Sequence, residues 1–252
     1  MNSDEHEPDG ASVIRLEQIS FTYPGADLTV LDDLDLEIRS GDRIGLMAPN
    51  GSGKTTLLHT IMGLCRPETG RICIFNRPME TEADFTGIRT RVGLLFQDSD
   101  DQLFCPTVLD DVAFGPLNMG ASRDQAISIA ETTLTTLDIQ HLQHKITHHL
   151  SGGQKRLVAL AAVLALSPEV LLLDEPTSGL DAGVKEKLAG ILNRLEISYL
   201  IISHEFDFLN AVADRIFSME AGKILTDEEI HVHHHEHVHK HGHHPHVHKH
   251  PE

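Results

Sequence analysis

Nine consecutive residues, Ala48 to Thr56, constrain the fold more than any other stretch of the chain. They follow a short apolar run, Asp42–Ala48, and lead into a helix-like pattern, Gly53–Leu64. Gly51 and Gly53 let backbone amides turn toward one point without a Cβ in the way. Those amides, with the positive end of the helix behind them, make an anion site. The residues Asn50, Gly51, Ser52, Gly53, Lys54, Thr55 and Thr56 therefore read as a cradle for nucleotide phosphates. Lys54 is placed to reach the outer phosphates, and the Thr55 hydroxyl to ligate Mg²⁺. The usual pattern begins with glycine, and here Ala48 takes that place; a small residue still permits the turn.

A cradle between strand and helix belongs in an α/β fold, and the rest of the body agrees. Val13–Ile19 alternates apolar and polar residues, as a half-buried strand does. Val92–Phe96, Val170–Leu173 and Tyr199–Ile202 are short apolar runs that suit strands covered on both faces. Arg123–Leu137, Gly152–Leu166 and Leu180–Leu195 read as helices. The alternation predicts a largely parallel sheet. Residues 98–150 break it with Pro106, Gly115, Pro116 and Gly120, and open a helical insertion expected to span about 98–167.

Nucleotide chemistry also needs a carboxylate for the metal and a base for water. The run Val170–Leu173 ends in Asp174 and Glu175, at the carboxyl end of a buried strand, where open α/β sheets bind ligands. Asp174 is expected to hold hydrated Mg²⁺ and Glu175 to polarise the attacking water.

Leu150 to Gln154 add a further motif. Ser151 reads as a helix cap before Gly152 and Gly153, so exposed amides at a positive helix end can face a phosphate. The cradle, this motif, the apolar strand ending in two acids, and a lone histidine on a later strand occur in that order. Together they resemble the ATP-binding-cassette ATPases over about residues 11–226.

The resemblance implies a P-loop cassette with a RecA-like core, an antiparallel β subdomain and a helical subdomain. It implies two chains, expected as a homodimer, that hold each ATP between one cradle and the partner's Ser151, Gly152, Gly153 and Gln154. Tyr23 matches the aromatic that stacks on adenine. Gln97 matches the glutamine that senses Mg²⁺ and water and begins the loop coupled to the membrane. Asp181 matches the loop that communicates across the dimer, and His204 the histidine that contacts the outermost phosphate. Residues 96–116 look like the ATPases of energy-coupling-factor importers. These take up vitamins and transition metals through a transmembrane scaffold subunit and a substrate-binding membrane subunit. The docking groove is expected around Gln97–Val108.

Histidine is the compositional anomaly. Of 19 in the chain, 12 lie in the last 22 residues: His231, His233, His234, His235, His237, His239, His241, His243, His244, His246, His248 and His250. This low-complexity tail, taken as residues 227–252, has too little apolar content to order itself and is expected to be disordered, as are residues 1–10. Imidazoles so spaced can close on Ni²⁺, Co²⁺ or Zn²⁺, and lose them as protons compete. With the subgroup resemblance, the tail points to nickel or cobalt import. A vitamin importer of the same type is the alternative. So is a soluble P-loop metallochaperone, although the motif at Ser151–Gln154 weighs against it.

The net charge of −18 argues against nucleic acid as a partner. The three cysteines, Cys65, Cys73 and Cys105, form no close pair, which favours a reducing compartment. The acidic start lacks the marks of a secretory signal. No apolar run approaches the ~20 residues that span a bilayer. The chain is expected at the cytoplasmic face of the cell membrane, held there by its partners.

Overall fold

The computed structural model describes residues 10–225. The tail histidines, and nearly all of the acidic start, lie outside the described residues.

Two sheets organise the fold. The larger has six strands: β3 (Arg43–Met47), β6 (Val92–Leu95), β7 (Val170–Asp174), β8 (Ser198–Ser203), β9 (Arg215–Glu220) and β10 (Lys223–Leu225), in the order β10-β9-β3-β8-β7-β6. All neighbours pair in parallel except β9 with β10. The smaller sheet is antiparallel: β1 (Ser12–Thr22), β2 (Thr29–Arg39), β4 (Thr69–Ile74) and β5 (Arg77–Pro78), in the order β2-β1-β4-β5. This is the mixed α/β cassette architecture, with its antiparallel sheet and helical elements.

Every residue of β6, β7 and β8 is buried, so their sequences run apolar instead of alternating. The pleat nonetheless divides them between two cores. Leu171, Leu173, Tyr199 and Ile201 pack toward the helical side with Leu157, Val158 and Leu188. Val170, Leu172, Leu200 and Ile202 pack toward β1, β2 and the helix α1 (Lys54–Ile61). A fully buried leucine or isoleucine contributes about 1.5–3 kcal/mol, so both faces of the parallel sheet are strongly held.

Helices α2 (Glu82–Ile88), α3 (Val108–Asn118), α4 (Arg123–Thr136), α5 (Gly152–Leu164), α6 (Ala182–Arg194) and α7 (Phe206–Val212) complete the body. The helices expected at Gly53–Leu64, Arg123–Leu137, Gly152–Leu166 and Leu180–Leu195 end one to three residues earlier than the apolar pattern does, and two of them also start later. Just past these ends Met62, Leu137 and Ala165 are buried and still donate to the carbonyls four residues back, while Leu64 is exposed. β1 runs to Thr22, past the expected Ile19, because its pairing with β2 continues to Thr22 opposite Thr29.

The larger correction lies at Gly115 and Pro116, read as punctuation. Both sit inside α3. Pro116 is in the last turn, where it leaves the helix without the one amide bond to the Val112 carbonyl. A Cβ on Gly115 would lie 2.9 Å from Leu166 Cδ2, so that glycine permits close packing rather than a break.

Candidate functional site

The cradle follows β3 directly and ends at α1. Gly51 and Gly53 have φ of +82° and +99°. A Cβ on Gly53 would lie 2.7 Å from the Val30 carbonyl oxygen, so no other residue fits there. Lys54 and Thr56 are buried in the first turn of α1. Ser52 is also buried, and its hydroxyl has no partner among the described residues.

Beside the cradle the end of β7 delivers the two acids. Glu175 is 1 % exposed and has a φ of +44°, a left-handed conformation uncommon for a side-chain-bearing residue. Its amide donates to the Ile202 carbonyl at 2.9 Å, which holds that turn in place. Glu175 Oε1 pairs with Lys54 Nζ, and Oε2 lies 2.9 Å from His204 Nδ1. Lys54 Nζ also donates to Asn50 Oδ1 at 3.0 Å. Asn50, Lys54, Glu175 and His204 thus form one connected group.

Asp174 stands next to it. Its Oδ2 accepts from the Thr55 hydroxyl at 2.8 Å. Its Oδ1 is buried and has no partner among the described residues. Burial pushes the Asp174 carboxyl above its ordinary range, opposed by the Thr55 hydrogen bond and the Lys54 charge. A buried carboxylate with one open oxygen beside a hydroxyl fits a hydrated divalent cation: oxygen donors suit Mg²⁺, and its charge offsets the cost of burial.

Thr55 and Asp174 open on a cleft of about 810 Å³, whose lining also includes Gln97, Gly152 and Gly179. The Gln97 side chain is exposed and makes no hydrogen bond among the described residues. Ser151 caps α5: its Oγ accepts from the Gln154 amide at 3.3 Å, and Gln154 Oε1 accepts from the Ser151 amide at 3.2 Å. A Cβ on Gly152 would meet nothing within 4 Å, whereas one on Gly153 would lie 2.9 Å from Val184 Cγ2. The open side of the helix end therefore belongs to Gly152.

Tyr23 follows β1, packs edge-on against Phe21 at 4.9 Å and shares a 3.0 Å hydrogen bond with the Thr56 hydroxyl. That places an exposed aromatic face at the cradle. Asp181 stands apart from the cluster: it caps α6, accepting from the Val184 amide at 3.0 Å.

Sequence reasoning missed two groups. Glu205 accepts from Thr177 Oγ1 at 2.7 Å and from Lys185, tying the residue after His204 to α6. Arg156 is 4 % exposed and donates to the Phe96 and Gln97 carbonyls. The helical period held a signal for Arg156, which shares a face with the buried Ala159, Leu160 and Val163.

Known proteins similar to this chain show its family. The family model described as ABC transporter matches residues 31–178. The cobalt import ATP-binding protein of Rhodobacter capsulatus is 41 % identical over 219 residues, 85 % of this chain and 78 % of the relative. The energy-coupling factor transporter ATP-binding protein of Methanocaldococcus jannaschii is 38 % identical, over the same shares of each chain. Among solved structures, cbiO1 from Clostridium perfringens, part of the ABC transporter complex cbiONQ, superposes with a TM-score of 0.79. It is 33 % identical over 86 % of this chain and 88 % of its own. No helix among the described residues is long and apolar enough to cross a membrane. The chain belongs to the ABC transporter family and is one of its ATP-binding, ATP-hydrolysing subunits.

Proposed function

We propose that this subunit hydrolyses ATP to energise import of nickel or cobalt ions through a membrane energy-coupling-factor complex. The observation that carries the catalytic part is the connected group Lys54, Glu175 and His204. The cradle amides and Lys54 bind the outer phosphates of ATP, with adenine on the face of Tyr23. As Lys54 turns to the phosphates it releases Glu175 Oε1, which then takes a proton from the attacking water. His204 holds Glu175 Oε2 and contacts the outermost phosphate, and Gln97 orients the water. Thr55 and Asp174 would hold Mg²⁺, which when bound supplies positive charge to the phosphate oxygens. Catalysis is then mainly positioning and charge stabilisation. Ser151 to Gln154 serve the nucleotide of a second copy, and Asp181 faces that copy.

Docking to the membrane scaffold falls to an apolar groove of about 360 Å³ that includes Phe96, Phe104, Phe114 and Leu166. Phe104 is 63 % exposed and meets Phe114 edge-on at 4.7 Å. The groove reaches past the expected Gln97–Val108 into α3. This arrangement supports a peripheral place at the cytoplasmic face of the membrane, with a scaffold subunit and a substrate-binding membrane subunit as partners.

The metal is supported by the name of the Rhodobacter relative and by the twelve tail histidines, which would bind Ni²⁺, Co²⁺ or Zn²⁺. Vitamin import is the second reading; the Methanocaldococcus relative is named for an energy-coupling factor transporter, and that name specifies no substrate. Uptake of Ni²⁺, Co²⁺ and Zn²⁺ by cells carrying the whole transporter separates the two. Loss of Ni²⁺ or Co²⁺ uptake with Glu175→Gln supports the metal. Unchanged uptake, with hydrolysis abolished, moves the assignment to a vitamin. Truncation after Ile230 then reports what the tail adds.

A further inference from the structure

Arg156 stands two residues beyond the Ser151–Gln154 motif, on the first turns of α5. It is almost fully buried, and its guanidinium donates one Nη to the Phe96 carbonyl and the other to the Gln97 carbonyl. Its Nε has no partner among the described residues, so those two bonds fix the fork. Burying a cation is costly unless its hydrogen bonds and charge partners are well placed. Here the charges of Asp98 and Asp174 favour it.

Other ties hold the same loop. Lys155 pairs with Asp100. Gln102 closes the end of β6, accepting from the Phe96 amide at 3.0 Å and donating to the Leu94 carbonyl at 2.9 Å. Asp98 accepts from the Asp100 amide at 2.9 Å. The backbone around Gln97 is therefore held from several sides, while its side chain stays free in the cleft. Among the described residues, the side-chain hydrogen bonds from α5 to this loop come from Arg156 and Lys155. Gly152, at the start of that helix, lines the same cleft.

We propose that Arg156 is a positioning residue that makes the Ser151–Gln154 helix end and the Gln97 loop one moving unit. A displacement of α5, whether from nucleotide seated on Gly152 or from a partner on the groove at Phe104 and Phe114, is carried to the Gln97 side chain. The planar fork is essential, because two consecutive carbonyls need two donors at fixed spacing, which a lysine cannot supply. Arg156 touches no reacting atom; it acts through Gln97. The inference rests on the role given to Gln97 above.

The test is a double-mutant cycle on the full-length protein, with steady-state ATP hydrolysis as the readout. Arg156→Lys keeps the charge and loses the fork. It is expected to lower kcat about tenfold with KM for ATP nearly unchanged, since small misplacements of positioning groups cost this much. In a Gln97→Ala background the same change is expected to cost less than about twofold, because nothing remains to be positioned. Arg156→Gln is expected to follow the same pattern, and Arg156→Lys keeps the test open should the neutral variant misfold. An equal loss in both backgrounds, or a raised KM with unchanged kcat, would overturn the proposal while leaving Gln97's role intact. Wild-type turnover by Gln97→Ala alone would overturn that role and the proposal together.

Discussion

Lys54 and Glu175 form a buried ion pair, 8 % and 2 % exposed at their side chains, joining the first turn of α1 to the end of β7. The pair neutralises the proposed base until phosphate competes for the lysine. Removing one partner leaves an unpaired buried charge. Lys54→Ala is therefore expected to destabilise the protein by about 3–5 kcal/mol and to abolish ATP binding. Adding Glu175→Gln should restore most of that stability and none of the binding. Denaturant unfolding and nucleotide titration of both variants check this.

Asp174 carries a burial penalty that a cation would relieve. Its carboxyl is raised, so the folded state binds a proton more readily than the unfolded chain does. The associated stability is present at low pH and is lost as pH rises through the folded-state value. Asp174→Asn should remove this pH dependence and raise the unfolding midpoint at neutral pH without ligand. It should also erase the extra stabilisation that Mg²⁺ adds to ATP. Thermal unfolding across pH, with and without Mg²⁺, measures both effects.

Phe104 is exposed, and its loss should cost little in folding, within about 0.5 kcal/mol for a surface substitution. Placing a charge in the apolar groove is a different matter. Phe104→Asp is expected to keep the wild-type unfolding midpoint and to lose co-purification with the membrane scaffold. Retained co-purification would move docking elsewhere.

Cys105 titrates unusually high, at about 11, because burial and the nearby Asp111 carboxylate disfavour the thiolate. Only the thiolate reacts, so alkylation should be slow at pH 8 and rise about tenfold per pH unit toward 11. Asp111→Asn, which removes one repelling charge, should raise the rate at fixed pH. Mass spectrometry of alkylated Cys105 reads the result.

The parallel sheet and the chemistry at its edge were legible because each depends on short local patterns. Asp174 and Glu175 stand out as acids ending an apolar strand, and Gly51 and Gly53 as a turn that forbids side chains. β2, β4 and β9 were not singled out, since their mixed residues sit at sheet faces that only pairing defines. The Lys54–Glu175 pair and the hold of Arg156 on Gln97 span 121 and 59 residues of chain. No local pattern encodes such contacts. Gly115 misled for the opposite reason: its meaning lies in Leu166, on the far side of the helical packing.

ATP hydrolysis and nucleotide retention by Glu175→Gln, measured on the full-length protein with Mg²⁺, test the central claim most directly. The substitution keeps the side-chain shape and hydrogen bonding and removes the base. Hydrolysis should fall by about 10²–10⁴-fold, with ATP bound at least as tightly as in the wild type, because Lys54 is no longer held by a carboxylate. Hydrolysis near the wild-type rate would contradict the account and require a different base.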